Sequence, residues 1–179
     1  VGLRGVLESR QFRQTDSPLR LAMGRDVSGT PIITDLCRMP HLLIAGATGS
    51  GKSVCLNAII ASMLYQHTAE TLKLLLVDPK RVELTKYDGI PHLVSTVMTD
   101  VEKVVLALRW LNQEMENRYK LFAKQGSRDL DSYNESITGA GKEPLPYIVV
   151  VVDELAELML AVPDEVERTL CSLAQKSRA

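Results

Sequence analysis

The sequence predicts an α/β fold with a mostly parallel central sheet flanked by helices, and three stretches carry that expectation. Residues 42–53 read LLIAGATGSGKS: an apolar run, a glycine-rich turn, then a helix beginning near Gly51. Residues 73–78 (KLLLVD) and 147–154 (YIVVVVDE) are two further apolar runs, each closing on acidic residues. Runs this short and this rich in leucine and valine suit strands buried on both faces of a parallel sheet. Stretches of helical period lie between them, so strand and helix alternate.

Residues 1–18 are weakly periodic and read as a short helix or arm. Residues 19–24 and 30–36 are β-prone runs on either side of Arg25-Asp26-Val27-Ser28-Gly29, which predicts a hairpin. Arg38-Met39-Pro40 leads into the strand at 42–44, and a helix is expected over 54–65. The strand at 73–78 ends in Pro79-Lys80-Arg81, and the short apolar segment 91–97 is expected to form another strand. Over 101–124, Val101, Val104, Val105, Leu108, Leu111, Met115, Tyr119 and Phe122 recur at spacings of three and four, giving a helix with one apolar face. Thr99-Asp100-Val101-Glu102 ahead of it matches a capping box. Residues 125–146 are polar, contain glycine and show no period, so a long loop is expected there. Two helices follow the last strand, over 154–162 and 163–177, with Pro163 opening the second. The chain is thus expected to divide into an N-terminal arm and hairpin region, 1–38, and a nucleotide-binding core, 39–179.

Gly46-Ala47-Thr48-Gly49-Ser50-Gly51-Lys52-Ser53 fits the phosphate-loop pattern G-x-x-x-x-G-K-[ST]. Glycines let successive backbone N–H groups point into one concavity, and the helix that follows adds the partial positive charge of its N-terminus. Residues 46–54, Val54 included, are therefore expected to bind ATP, with Lys52 on the β/γ-phosphates and the Ser53 hydroxyl on Mg²⁺. A bare match could be a ligand-free glycine turn. The apolar run before it and the helical run after it favour the phosphate loop. Asp153, at the carboxyl end of the valine run, is the expected second Mg²⁺ ligand, and Glu154 the residue that polarises the attacking water. An ordinary strand end with acids starting a helix is the plainer account of that pair. The extra strand and helix between the two motifs separate this chain from P-loop kinases and point to the RecA-like branch of P-loop NTPases.

Composition restricts the rest. Lys and Arg number 21 and Asp and Glu 22 in 179 residues, so charge gives no support for a nucleic-acid partner. Three cysteines (Cys37, Cys55, Cys171) and three histidines (His41, His67, His92) are scattered, with none of the spacings of a zinc site or a disulfide framework. That cysteine usage makes a reducing, cytoplasmic compartment the expected setting. No apolar stretch reaches the length of a membrane span and no signal peptide is visible. The chain starts at Val1 and stops inside a helical pattern, which reads as a piece of something longer.

With the motifs placed, the chain resembles the motor domain of the FtsK/SpoIIIE family of DNA translocases. The resemblance rests on Met39-Pro40-His41-Leu42-Leu43-Ile44-Ala45-Gly46 running into the phosphate loop, and on Leu76-Val77-Asp78-Pro79-Lys80-Arg81-Val82-Glu83-Leu84 with Tyr87 and Ile90-Pro91-His92-Leu93. Glu114-Met115-Glu116-Asn117-Arg118-Tyr119, Tyr133-Asn134 and Asp153-Glu154-Leu155-Ala156-Glu157-Leu158-Met159 complete it. A generic ATPase would share only the first and last of these. The resemblance implies ATP-driven movement along double-stranded DNA by a homo-oligomeric ring, usually a hexamer, in chromosome partitioning at cell division or sporulation. It implies an anchor in the bacterial inner membrane through a region absent from this chain. The family's C-terminal winged-helix module, and the strand that follows the end of this piece, are expected to be absent too. A RecA-like ATPase that moves protein in secretion is the alternative, and a nucleotide-gated assembly module a more distant one; Glu154 beside Asp153 speaks against the latter. One of Lys80 and Arg81, or Glu83, is a candidate to communicate between neighbouring subunits near the bound nucleotide, although a solvated surface cluster is the plainer account of the basic pair. Arg178 is the tempting candidate for an arginine supplied in trans, but a solvent-facing helix-end cation is the favoured account, so this piece is expected to lack its trans residue.

Overall fold

The computed structural model describes residues 2–47 and 49–176, and the chain divides into two compact units, Val1–Thr68 and Ala69–Ala179. In the first, the expected arm is a pair of short helices, α1 (Arg4–Leu7) and α2 (Arg10–Gln14), the second capped by Ser9, whose hydroxyl accepts from the Phe12 N–H at 3.2 Å. Strands β1 (Arg20–Arg25) and β2 (Pro31–Asp35) pair antiparallel as the expected hairpin, with a bulge between Ala22 and Gly24. The Asp26 carboxylate closes the turn by accepting from the Ser28 hydroxyl (2.7 Å), the Thr30 N–H (2.8 Å) and the Ser28 N–H (2.9 Å). Those bonds, that from the Ser28 hydroxyl foremost, hold its pKa below the ordinary carboxylate value.

Helix α3 (Lys52–Gln66) starts beside Gly51, as expected, and docks on the hairpin. Its buried Ser62 hydroxyl accepts from the Ala22 N–H at 3.0 Å, and the Gln66 amide donates to the Arg20 carbonyl at 2.8 Å. His67, at the end of α3, has Nε2 2.6 Å from the Pro18 carbonyl, a local packing role as expected of the histidines. The strand expected at 42–44 is not formed: residues 41–47 carry no regular secondary structure, and Leu43 is 81% exposed. A strand exists only where a neighbour accepts its ladder bonds. The two strands of this unit are paired with each other.

In the second unit β3 (Leu72–Val77) and β4 (Tyr147–Val152) run parallel in register from Leu72 opposite Tyr147 to Val77 opposite Val152. β3 is buried along almost its whole length. β4, expected to be buried on both faces, is so only at Val151. The reason is lateral: β3 has β4 on one side and the 91–98 segment on the other. That segment, expected as a strand, makes two isolated parallel bridges, Leu74 to Leu93 and Val77 to Met98. Pro91 has no N–H for a ladder, and the Asp88 carboxylate takes the Val97 N–H at 2.7 Å.

Helix α4 (Val101–Gln125) follows the expected period, burying Val104, Val105, Leu108 and Leu111. Its N-cap is Asp100, whose carboxylate accepts from the Glu102 N–H at 3.0 Å, and not the Thr99 box. Gly126 ends it at φ 72°, with the Ser127 N–H reaching back to the Phe122 carbonyl at 2.9 Å. The expected loop at 125–146 contains a further helix, α5 (Leu130–Thr138), opened by a reciprocal cap between Asp129 and Ser132. Helices α6 (Leu155–Ala161) and α7 (Pro163–Lys176) complete the unit, Pro163 opening α7 as expected. Leu75 and Val77 of β3, Val104 and Leu108 of α4, Leu158 of α6 and Val166 of α7 form one buried cluster. Among the described residues no helix is long and apolar enough to cross a membrane.

Candidate functional site

The expected site residues fall into two groups, one in each unit. In the first, the described residues of the 46–53 segment, Gly46, Ala47 and 49–53, have backbone features that suit an anion. Gly49 and Gly51 sit at φ 80° and 93°, where a side chain would be strained, and the Ser50 N–H donates to the Ala47 carbonyl at 3.0 Å, tightening the turn. Gly46 leaves room for another reason: a Cβ there would crowd the Ser50 side chain, which would have to shift to admit it. Gly51 is also the N-cap of α3 and brings no side chain to its N–H groups. The first turn of a helix, here Lys52, Ser53 and Val54, has no intrahelical carbonyl to bond and favours an anion. Thr48 lies outside the described residues.

The second group stands at the carboxyl end of the parallel pair, the edge where open α/β sheets take their ligands. Asp78 and Asp153 directly follow the paired residues Val77 and Val152, so they stand side by side. The Asp153 N–H donates to the Val77 carbonyl at 3.0 Å, and that of Asp78 to the Met98 carbonyl at 2.8 Å. Both are buried, Asp78 completely. The roles of the two differ. Asp78 Oδ2 accepts from the N–H groups of Glu83 (2.9 Å) and Leu84 (2.8 Å), folding the 79–84 segment over the strand end. Within that segment Arg81 takes a left-handed conformation, φ 59°, its N–H on the Asp78 carbonyl at 3.1 Å. Asp153 is the last residue before Glu154, the N-cap of α6.

Lys80 projects from the 79–84 segment to Glu154, with Nζ 3.8 Å from Oε2, and to Glu157, with Nζ 3.4 Å from Oε1. Of the basic residues expected to act between subunits, Lys80 thus faces two carboxylates of its own chain, and Arg178 lies outside the described residues. Sequence reasoning gave no role to Asp78 or Glu157. Both had a signal: Asp78 closes its apolar run as Asp153 does, and Glu157 is one helical turn from Glu154.

Further residues of the quoted motifs anchor β4 from its other end. The Asn134 amide exchanges two hydrogen bonds with the Leu145 backbone, at 2.8 and 2.9 Å, and Arg118 donates to the Pro146 carbonyl at 2.7 Å while paired with Glu114. Fixing the entry of β4 fixes the register at which Asp153 and Glu154 leave it.

Taken separately, the Ser53 hydroxyl of the first unit and the Asp153 carboxylate of the second are oxygen donors of the kind Mg²⁺ prefers, and Mg²⁺ takes only one or two protein oxygens besides phosphate and water. Among the described residues no group of three or more His, Cys, Asp or Glu could hold a metal.

Fold and phosphate loop together define a RecA-like P-loop ATPase, and solved structures with that fold are similar to this chain. The conjugation coupling protein TcpA of pCW3, solved with ATPγS, is 33% identical with a TM-score of 0.74, over 92% of this chain and 46% of that one. The cytoplasmic domain of the type VII secretion ATPase EccC from Thermomonospora curvata is 26% identical with a TM-score of 0.77, over 99% of this chain and 22% of that one. The chain belongs to the FtsK/SpoIIIE family, whose model matches residues 2–179. It is 52% identical to DNA translocase SftA of Bacillus subtilis (strain 168), over 100% of this chain and 19% of that protein. It is 50% identical to DNA translocase FtsK of Clostridium tetani (strain Massachusetts / E88), over 100% of this chain and 24% of that protein. The chain therefore spans a quarter or less of the length of these relatives.

Proposed function

We propose that this chain is the nucleotide-hydrolysing part of an ATP-driven translocase of double-stranded DNA that works in chromosome segregation at cell division or sporulation. The observation that carries this reading is identity of 52% and 50% along the whole chain to proteins named DNA translocases, against 26% to a secretion ATPase of similar fold. In this reading 1–38 is an addition to the ATPase core, 39–179. Residues 46–54 cradle the phosphates of ATP, Lys52 supplies the cation on the β/γ-phosphates, and Ser53 and Asp153 hold Mg²⁺. Bound Mg²⁺ would neutralise charge on the phosphates during transfer. Glu154 orients and polarises the attacking water. The working form is a homo-oligomeric ring, a hexamer on the family pattern, in the cytoplasm and joined to the inner membrane through a region outside this chain. Either one of the basic pair Lys80 and Arg81, or Glu83, communicates with the neighbouring subunit near the bound nucleotide.

The test is the ATPase rate of the intact protein with and without duplex DNA, across a salt series. Several-fold stimulation by DNA that fades with rising salt is expected, because phosphate contacts release counterions. A rate indifferent to DNA at every salt concentration rejects the reading and favours a motor that moves protein.

A further inference from the structure

Lys80 pairs with Glu154, and its position is built rather than incidental. It sits in the segment that the fully buried Asp78 carboxylate folds back through two backbone N–H groups, with Arg81 next to it in a left-handed conformation. We infer that Lys80 is a positioning residue that restrains Glu154: in the resting motor it holds this carboxylate turned toward its ammonium group, and hydrolysis requires Lys80 to pass to Glu157. The inference rests on the reading of Glu154 as the residue that polarises water.

The chemistry follows from what a base must do. A carboxylate drawn toward an ammonium group at 3.8 Å is held in an orientation set by that cation, and to orient a water it must turn away from it. Glu157 makes the restraint reversible. It lies three residues on, in the first turn of α6, and is already 3.4 Å from Lys80, nearer than Glu154. When Glu154 turns to water, Lys80 keeps a partner, so release strands no cation. Both ends are partly solvated, Lys80 at 50% and Glu154 at 32% exposure, so the pair is weak enough to be broken on every turnover. A buried pair would be too costly to break at that frequency.

The experiment measures kcat and KM for ATP in the intact protein without DNA, for the parent, Lys80→Met, Lys80→Arg, Glu154→Gln and the double variant Lys80→Met with Glu154→Gln. Lys80→Met is expected to raise kcat about two- to fivefold with KM unchanged, the factor that loss of an exposed ion pair corresponds to. Lys80→Arg, which keeps the cation, should raise it less. The double variant should be no faster than Glu154→Gln alone, since Lys80 acts only through that carboxylate. A kcat for Lys80→Met equal to or below that of the parent overturns the restraint while leaving the role of Glu154 standing. Acceleration of the double variant over Glu154→Gln also overturns it, because Lys80 would then act elsewhere. Parent-like turnover by Glu154→Gln overturns the underlying reading of Glu154 and the restraint with it.

Discussion

Asp153 and Glu154 are neighbours in the chain, yet the backbone sends them to different work. Asp153 ends the parallel ladder, buried, its N–H on the Val77 carbonyl; Glu154 has left the strand, stands at the N-cap position of α6 without a capping hydrogen bond from its side chain, and is partly solvated. A buried carboxylate at the sheet edge suits metal binding, and a partly exposed one that can turn suits water activation. Asp153→Asn is therefore expected to weaken Mg²⁺-dependent nucleotide binding. Glu154→Gln is expected to bind nucleotide as the parent does and to lose about 10²–10⁴ in single-turnover hydrolysis, the usual contribution of a general base. Nucleotide titration with and without Mg²⁺ separates the two. Equal losses of affinity in both variants would reject the division of roles.

Helix α5 shows how a polar segment without an obvious period becomes an element. Asp129 accepts from the Ser132 N–H at 2.8 Å, Ser132 accepts in turn from the Asp129 N–H, and Ile137 is buried while the Tyr133 ring packs on Phe122. The bonds from Ser132, its backbone N–H foremost, lower the Asp129 pKa from the ordinary value of 3.8. A carboxylate with a depressed folded pKa stabilises the fold fully above its unfolded value, and that stabilisation is lost as pH falls through the folded value. Protection of α5 amides against hydrogen exchange is thus expected to be flat near neutrality and to fall below 3.8. Asp129→Ala should remove about 1 kcal/mol of local stability at neutral pH and abolish that acid dependence. An acid dependence unchanged in Asp129→Ala would show that another carboxylate holds the helix.

At the scale of the whole molecule each unit has its own core, and in the second that core sets the ligand edge of the sheet. Leu108 is 1% exposed in the cluster that β3, α4, α6 and α7 share. Leu108→Ala should cost about 2–5 kcal/mol, the range for a fully buried leucine. Exchange protection of β3 and β4 amides reads this directly; a loss confined to α4 would show that the cluster is not one cooperative body. Surface ion pairs such as Arg109 with Glu165 and Lys176 with Glu116 tie α4 to α7, but exposed pairs contribute little by comparison.

The sequence by itself determined the family, the phosphate loop, the acidic end of the valine run and the long helices, because each depends on short-range chemistry. Glycine at fixed offsets permits a cradle, a spacing of three and four makes one apolar face, and Asp-Glu after a valine run marks a strand end. Tertiary structure decided what depends on a neighbour. Residues 42–44 are apolar enough for a strand yet unpaired in one, and 91–97 gives bridges where a ladder was expected, because a strand is a relation between two segments. Helix α5 was hidden because its cap is Asp with Ser, not the Ser or Thr with Glu that signals a box in sequence, and because its few apolar residues have meaning only against Phe122. The same holds for Asp78 and Glu157. Only the parallel register sets Asp78 beside Asp153, and only the folding of 79–84 over the strand end brings Lys80 to two carboxylates that lie more than 70 residues away in the chain.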